Sequence, residues 1–291
     1  MKKTFFTLIL LISTLTLLAQ KSLLWEVSGN GLKHPSYIFG TIHLIPKKNY
    51  VFYPQWKQKL YECNTVVFEA NIKPPLKEQI ELLQKTMLPD NKNLQDFLPQ
   101  DYYQKLYIYL HDTLKIKSKK IKLYMRFKPI FIPALILKEK FRHIKIYEKE
   151  IFKMAKRKKK KFYYLETLDY QLNIIDTIDY YTQALNFLYN PNQNYNLIKE
   201  YQQNLQLYLQ QNIDSLAILT YQNSDTVFIQ NLIIKRNKEW IPKLEKLFKT
   251  GPTFVAVGAG HLKGKYGILT LLQNKGYTIR PVLIKNTSNE K

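Results

Sequence analysis

Short apolar runs stand near the two ends of the chain, and between them lie longer stretches with an apolar residue at every third or fourth position. A short apolar run bounded by turn residues is typical of a strand, and the wider spacing is typical of an amphipathic helix. The pattern predicts strands at residues 23–27, 37–40, 65–69, 162–165, 253–257 and 278–283. The first two are joined through a polar, glycine-containing turn at residues 28–31, which predicts a hairpin.

Helical spacing dominates the middle of the chain. It predicts helices at residues 76–84, 101–111, 128–141, 148–155, 168–186, 196–210, 215–222, 226–248 and 261–274. Strands separated by helices predict an α/β fold with a central mixed, partly parallel sheet of about five or six strands flanked by helices. We expect residues 21–291 to form a single domain, in which about residues 76–141 are a large helical insertion.

The N-terminus has the pattern of an export signal. Lys2 and Lys3 precede an uncharged, mainly apolar stretch at residues 5–19, and Ala19-Gln20 offers a cleavage point after a small residue. The stretch is shorter than the roughly 20 residues of a membrane-spanning helix, so an uncleaved anchor is the less favoured alternative. Residues 1–20 are therefore predicted to be a signal peptide, which would place the mature protein in the periplasm or outside the cell.

Cys63 is the one cysteine of the chain, so neither a lipid-modified N-terminus nor an internal disulfide is expected. An exported protein without disulfides relies on its apolar core for stability. Cys63 stands just before a predicted strand, and no nucleophile motif surrounds it. We expect a structural role for it rather than a catalytic one.

The net charge of +23 raises the question of a polyanionic partner. Lysine is abundant throughout the chain, and the one dense basic run, residues 156–161, falls between a predicted helix and a predicted strand, where a solvated loop is expected. No nucleic-acid-binding motif surrounds this run, so nucleic acid is not the expected partner. A peripheral contact with anionic envelope surfaces accounts better for the charge.

Two Gly-x-x-His segments follow predicted strands, with Gly40 and His43 in the first and Gly258 and His261 in the second. A glycine at a strand end lets backbone or ligand approach closely, because no Cβ intrudes. A histidine there points into the crevice where open α/β sheets bind ligands. The two imidazoles would hold a metal ion together, or one would act as a base. His34 has the same spacing from a glycine, but it lies in a polar turn and is predicted to be on the surface.

Two acidic residues also lie at the ends of predicted strands, as the two Gly-x-x-His segments do. Glu69 ends the strand predicted at residues 65–69, and Glu166 follows the strand predicted at residues 162–165. A carboxylate at the end of an apolar strand is costly unless it is paired or binds a cation. The alternative is that each acid caps a nearby helix, and for Glu166 a predicted helix does follow at once. Both acids remain candidates for the same site as the histidines.

Several short motifs occur in a fixed order along residues 24–282. They are Trp25-Glu26-Val27, residues 37–44, residues 66–69, Leu165-Glu166-Thr167 with Gln171, Arg236-Asn237 with Trp240, and residues 257–262 with Gly264, Gly267, Leu271 and Gly276-Tyr277. In this order the set resembles the TraB/GumN family. That family includes the Tiki-type metal-dependent proteases and is distantly similar to the erythromycin-esterase and ChaN-like proteins.

The resemblance implies a site of His43, Glu69 and His261, with Arg236 and Asn237 as supporting polar groups. Taken alone, Arg236 would be a solvated helix residue. The implied cofactor is a divalent cation. Zinc suits histidine and carboxylate ligands, and manganese or cobalt fits equally.

One segment departs from the family pattern. Many relatives carry a glycine, an apolar residue and an aspartate before the helix that leads to the Leu-Glu-Thr strand. This chain has Ile146-Tyr147-Glu148 there, so the acid is longer and the glycine is absent. The departure puts a role for Glu148 in doubt.

The function expected from these features is that of a metal-dependent, peptidase-like hydrolase of the cell envelope, acting on a peptide or small-molecule substrate. A cation bound by the histidines would lower the pKa of its water, which hydrolysis at neutral pH requires. One alternative is a protein that binds a ligand, a polypeptide or haem without catalysis. Another is an envelope scaffold that works through its basic surface.

Overall fold

A computed structural model describes residues 21–188, 196–224 and 226–284, and the predicted signal peptide lies outside the described residues. The strands in these ranges are β1 (Leu24–Gly29), β2 (Ser36–Thr41), β3 (Ile45–Pro46), β4 (Thr65–Phe68), β5 (Ile144–Lys145), β6 (Lys161–Tyr164), β7 (Thr253–Gly258) and β8 (Tyr277–Pro281). The α-helices there are α1 (Pro54–Glu62), α2 (Leu76–Lys85), α3 (Gln100–Ile108), α4 (Ser118–Tyr124), α5 (Ile132–Lys140), α6 (Tyr147–Arg157), α7 (Leu168–Asp176), α8 (Tyr180–Phe187), α9 (Leu197–Leu209), α10 (Ile213–Asn223), α11 (Thr226–Ile229), α12 (Arg236–Thr250) and α13 (Ile268–Asn274).

One six-stranded sheet organises the molecule, in the strand order β6-β4-β7-β2-β1-β8. The strands β6, β4, β7 and β2 run parallel, whereas β1 pairs antiparallel with both β2 and β8. The predicted hairpin is the β1–β2 pair. This mixed sheet with flanking helices confirms the predicted α/β class. The four parallel strands place their carboxyl ends at one edge of the sheet.

The central strands form because their sequences are apolar without interruption. All residues of β2, β4 and β7 are buried, as expected for parallel strands covered on both faces. Phe39 of β2 is the centre of an aromatic cluster, with ring centroids 4.9 Å from Trp56, 5.6 Å from Tyr147 and 6.2 Å from Phe254. Truncating such a ring to alanine costs about 3–5 kcal/mol.

The helical insertion has an apolar core of its own, separate from the sheet core. It is formed by Leu88, Leu94, Leu98, Leu110, Ile116, Ile121, Tyr124, Met125, Ile132, Ile136, Ala184 and Leu188. The last two come from α8 and the residue after it, so the α8 region also contributes to this layer. The insertion and α8 therefore stand together beside the sheet.

Three long predicted helices are interrupted in the structure. The helix predicted at 168–186 is two helices, because the Asp179 side chain accepts the backbone N–H of Thr182 and caps a new start. The helix predicted at 226–248 contains a π-helical segment, Gln230–Lys235. The helix predicted at 261–274 begins at Ile268, since Gly264 has a φ of 94° and reverses the chain. Helices α1 and α4 have no counterpart in the prediction.

The basic run at residues 156–161 is less loop-like than predicted. Lys156 and Arg157 end α6, three lysines form the turn, and Lys161 begins β6. Strand β6 is an edge strand, and lysines on an edge oppose pairing with other chains. Among the described residues, no helix is both long enough and apolar enough to cross a membrane.

Candidate active site at the carboxyl edge of the sheet

The carboxyl ends of the parallel strands bring the predicted site residues together. His43 lies two residues after β2, Glu69 directly follows β4, Glu166 lies two residues after β6, and His261 lies three residues after β7. His43, Glu69 and His261 line a single cavity of about 640 Å³. Open α/β sheets bind ligands at this place, because loops rather than strands continue from it.

Arg236, the first residue of α12, is the centre of the polar network, and it is buried. Its Nη2 donates to Glu69 Oε2 at 2.6 Å and to Glu166 Oε1 at 2.7 Å, and its Nε donates to Glu166 Oε1 at 3.0 Å. Its Nη1 donates to the carbonyl of Leu232 at 3.0 Å and to His261 Nε2 at 3.2 Å. A guanidinium has five N–H donors in a fixed fork, and these contacts use the whole fork.

Glu69 is held from two sides. Its Oε2 accepts from Arg236, and its Oε1 accepts the backbone N–H of Gly258 at 2.7 Å. Burial raises the pKa of this carboxyl, but the charge of Arg236, the neighbouring histidines and the Gly258 N–H outweigh burial and lower the pKa to about 2. Glu69 is therefore ionised at neutral pH and fixed in orientation.

His261 is held as a neutral ring of defined tautomer. The Asn237 amide nitrogen donates to the carbonyls of His261 and Tyr266, at 3.1 and 2.8 Å, so the Asn237 oxygen faces His261 Nδ1 at 2.7 Å. Nδ1 therefore carries the proton, and Nε2 accepts from Arg236. Burial and the Arg236 charge lower the pKa of His261 to about 3, against the opposing effect of Glu69. The ring packs against Trp240, with centroids 4.6 Å apart.

His43 has the opposite electrostatic setting. Its Nδ1 donates to Glu148 Oε1 at 3.1 Å, and the same oxygen accepts the hydroxyl of Thr41 at 2.6 Å. Desolvation lowers the pKa of His43, but the hydrogen bond and charge of Glu148 outweigh it and raise the pKa to about 9. The His43 side chain is open to the cavity, at 72% exposure, whereas Glu148 is 10% exposed. Glu148 is thus the residue that orients His43.

Gly258 lies where the three groups meet. A Cβ at this position would lie 3.4 Å from Glu69 Oε1, 3.6 Å from His261 Cδ2 and 3.7 Å from His43 Nε2. The glycine leaves this space open to a ligand. Its N–H also orients Glu69, so the second Gly-x-x-His segment contributes backbone as well as imidazole.

The remaining predicted residues are placed differently around the cavity. Gly40 is covered, because a Cβ there would meet Leu262 Cδ1 at 2.8 Å and Ala259 Cα at 3.2 Å, so its lack of a side chain serves packing. Glu166 does not line the cavity, and its oxygens bind Arg236 and the indole N–H of Trp240. Asn237 does not line the cavity, and its amide oxygen accepts from Nδ1 of His261. These three support the site without facing the cavity.

The structure adds Glu148 and Thr41 to the candidate site, and the sequence did not place either of them there. Glu148 sits in the first turn of α6, where an acid ordinarily stabilises the helix N-terminus and gives no sign of a buried partner. In Ile146-Tyr147-Glu148 the longer acid reaches Nδ1 of His43, at 3.1 Å. The sequence carried one sign of this contact. The family motif has an aspartate at this place, and Glu148 keeps an acidic residue there.

The donor set fits a divalent cation in its chemistry. Both histidines place Nδ1 against an oxygen of another residue, Glu148 or Asn237, which is how metal-binding histidines are usually oriented. Within the described residues, no three acidic, histidine or cysteine groups are arranged to ligate one ion. Arg236 itself engages Glu69 and Nε2 of His261. Binding through all three residues would require the guanidinium to release them.

The fold and the site define an α/β protein with two Gly-x-x-His segments facing one cavity. The sequence profile of the TraB/PrgY/gumN family matches residues 23–281. The chain therefore belongs to this family, as the motifs predicted.

Curated relatives are similar over most of the chain. Metalloprotease TIKI1 of Danio rerio is 25% identical, covering 89% of this chain and 62% of its own length. Metalloprotease TIKI2 of Xenopus tropicalis is 26% identical, covering 89% and 59%. Metalloprotease TIKI1 of Homo sapiens is 25% identical, covering 89% and 61%. The chain thus spans about three fifths of the length of these relatives. No solved structure matches it significantly.

Proposed function

We propose that the chain is a metal-dependent hydrolase with a peptidase-like site at the carboxyl edge of its sheet, acting in the cell envelope. The observation that carries the proposal is the convergence of His43, Glu69 and His261 around the open space at Gly258. The similarity to curated metalloproteases supports the same class of chemistry.

In this proposal His43 and His261 would hold a divalent cation once Arg236 releases Nε2 of His261, and zinc, manganese and cobalt suit the donors equally. When bound, such a cation supplies a water of lowered pKa and polarises a substrate carbonyl. Glu69 would either ligate the cation or act as the general base that takes a proton from water. Glu148 and Asn237 fix the two rings by holding Nδ1, and Arg236 neutralises the buried carboxylates.

The test compares metal content and peptide hydrolysis in the parent and in three variants. His43→Ala and His261→Ala should each lose most bound metal and nearly all activity. The double variant should be little worse than either single variant, because groups that act as a unit are non-additive. Glu69→Gln separates its two roles, since loss of a general base costs activity alone and loss of a ligand costs metal as well. Three folded variants with parental metal content and activity would refute the hydrolase.

A second function is favoured by one observation. Arg236 satisfies Glu69, Glu166 and His261 with ordinary hydrogen bonds, so the network is complete as a binding surface without a cation. The chain would then bind a peptide or other ligand without turning it over. Binding that persists in Glu69→Gln, in a protein with no hydrolytic activity, would favour this function.

A further inference from the structure

The lining of the cavity has a polar part and an apolar part, which we name the polar end and the apolar end. His43, Glu69, Glu148, Arg236 and His261 form its polar end at the sheet edge. Another part of the lining is apolar and continuous, and its principal residues are Phe131, Ile175, Phe187, Phe228, Leu232 and Ile233. A cavity of about 640 Å³ lies within the size range of ligand pockets, so the apolar end adds space that the polar groups do not use.

The apolar wall is built by segments outside the sheet. Ile175 lies on α7, Phe228 on α11, and Leu232 and Ile233 on the π-helical segment Gln230–Lys235. Phe131 ends the short turn before α5. These segments together form the apolar part of the cavity lining.

Leu232 connects the apolar end of the cavity with the polar end. Its side chain lines the apolar wall, and its carbonyl accepts from Nη1 of Arg236 at 3.0 Å. The π-helical turn sets this carbonyl beside the guanidinium, and π-turns inside helices often occur at functional sites. A group bound against Leu232 therefore contacts a residue that is itself hydrogen-bonded to Arg236.

Charge does not select the occupant of this cavity. Among the described residues that line it, Lys149 is the single lysine, although the whole chain carries a net charge of +23. Arg236 is already paired with Glu69 and Glu166, and His43 is paired with Glu148. An acidic ligand would find no free cationic cluster here, so apolar contact is the main recognition that the wall offers.

We propose that the apolar end is a specificity subsite, which takes a large aromatic or branched aliphatic side chain of a polypeptide whose backbone lies at the polar end. This inference rests on the proposed function for the position of the backbone. The wall itself would accept such a side chain whether or not the bound peptide is then cleaved. Apolar pockets distinguish one methylene by about 10–200-fold, so a phenylalanine should be preferred over a serine by at least about 100-fold.

The test uses two readouts that fail independently. The first is displacement of the neutral fluorophore N-phenyl-1-naphthylamine, chosen because an anionic dye would also bind the basic surface. The second is cleavage of the blocked peptides acetyl-Ala-Ala-X-Ala-Ala-amide, where X is Phe, Leu, Ser or Asp. Peptides with Phe and Leu should displace the fluorophore at concentrations at least about 100-fold lower than those with Ser and Asp. If peptides are cleaved, the rates should follow the same order.

Phe131→Ser should reduce the preference for Phe over Ser by about 10-fold. Phe97→Ser is the matched control, since Phe97 is also half-buried but packs in the core of the insertion. Phe228→Ser, on α11, repeats the test on another element if Phe131→Ser does not fold. Ordered displacement without cleavage would support the subsite and contradict the hydrolase. Equal displacement by all four peptides, or a folded Phe131 or Phe228 variant with the parental preference, would overturn the subsite.

Discussion

Arg236 donates an Nη1–H to Nε2 of His261 across 3.2 Å, and this bond ties the helix α12 to the second Gly-x-x-His segment. The same guanidinium binds Glu69 and Glu166, so one buried cation connects the ends of β4, β6 and β7. Removing it would leave two carboxylates in the interior without a counter-charge. The site and the fold thus depend on the same residue.

Arg236→Ala should therefore lower the free energy of unfolding by about 3–5 kcal/mol, the usual cost of leaving a buried charge without its partner. Arg236→Lys should also be destabilising, because an ammonium group cannot reproduce the planar fork. The measurement is urea-induced unfolding followed by circular dichroism. Lys249→Ala, an exposed position on the same helix, is the control and should change stability by no more than about 0.5 kcal/mol. A loss below about 1 kcal/mol in Arg236→Ala would show that the network is not structural.

The positions of the site residues at strand ends were predictable from sequence, and the contacts between them were not. His43, Glu69 and His261 follow apolar runs, and parallel strands bring such positions to one edge. The partners that tune them come from helices. Arg236 had the appearance of a solvated residue, and only its motif marked it. Glu148 had the appearance of a helix-capping acid. Tertiary packing decides both, and periodicity carries no information about it.

The interrupted helices show a second limit. Apolar spacing continues through residues 226–248, so it gives no sign of the π-helical turn that sets Leu232 beside Arg236. Likewise the pattern after His261 is helical, yet a Cβ at Gly267 would lie 2.4 Å from the carbonyl of Leu262. The chain that turns at Gly264 therefore also requires a glycine at position 267, and α13 begins only at Ile268. Such local exceptions occur where the backbone serves the site.

In protein freed of metal by a chelator, the pKa values of the two site histidines should be shifted in opposite directions from the ordinary value. His43 should titrate near pH 9, and His261 should stay neutral down to about pH 3. Because the folded-state pKa of His43 is raised, its pairing with Glu148 contributes stability below about pH 6.5, and this is lost as pH rises toward 9. Nuclear magnetic resonance of the imidazoles checks both values. Glu148→Gln should lower the midpoint of His43 and leave His261 unchanged. A His43 midpoint near 6.5 in the parent would contradict the pairing.

Cys63 should be chemically inert in the folded protein. Its side chain is fully buried, and burial raises the pKa of the thiol to about 12. Only the thiolate attacks disulfide reagents, so 5,5′-dithiobis(2-nitrobenzoic acid) should release no colour from the native protein and one equivalent after unfolding in guanidinium. Rapid reaction of the native protein would mean that this region opens readily, and the structural role predicted for Cys63 would be wrong.

Export should remove the N-terminal segment. Lys2 and Lys3 followed by the apolar stretch to Ala19 motivate this expectation. Mass spectrometry of the protein isolated from its own cells should find an N-terminus near Gln20 or Lys21. A soluble cytoplasmic protein that begins at Met1 would contradict both the signal peptide and the proposed envelope location.

Gly258→Ala tests whether the space between the two rings is used. The added methyl group would stand within ordinary contact distance of Glu69, His261 and His43, and the backbone of Gly258, with φ −54° and ψ 136°, accepts alanine without strain. The variant should therefore keep its stability within about 1 kcal/mol, because it introduces neither overpacking nor backbone strain, which are among the causes of larger losses. It should lose most binding of cobalt(II), measured by calorimetry, together with peptide hydrolysis.

Gly260→Ala is the matched control two residues away. A Cβ there would meet only the Thr220 hydroxyl, at 3.8 Å, so binding and activity should persist. If Gly258→Ala binds the ion and cleaves peptides like the parent, the ligand does not occupy the space between the histidines, and the proposed arrangement of the site is wrong.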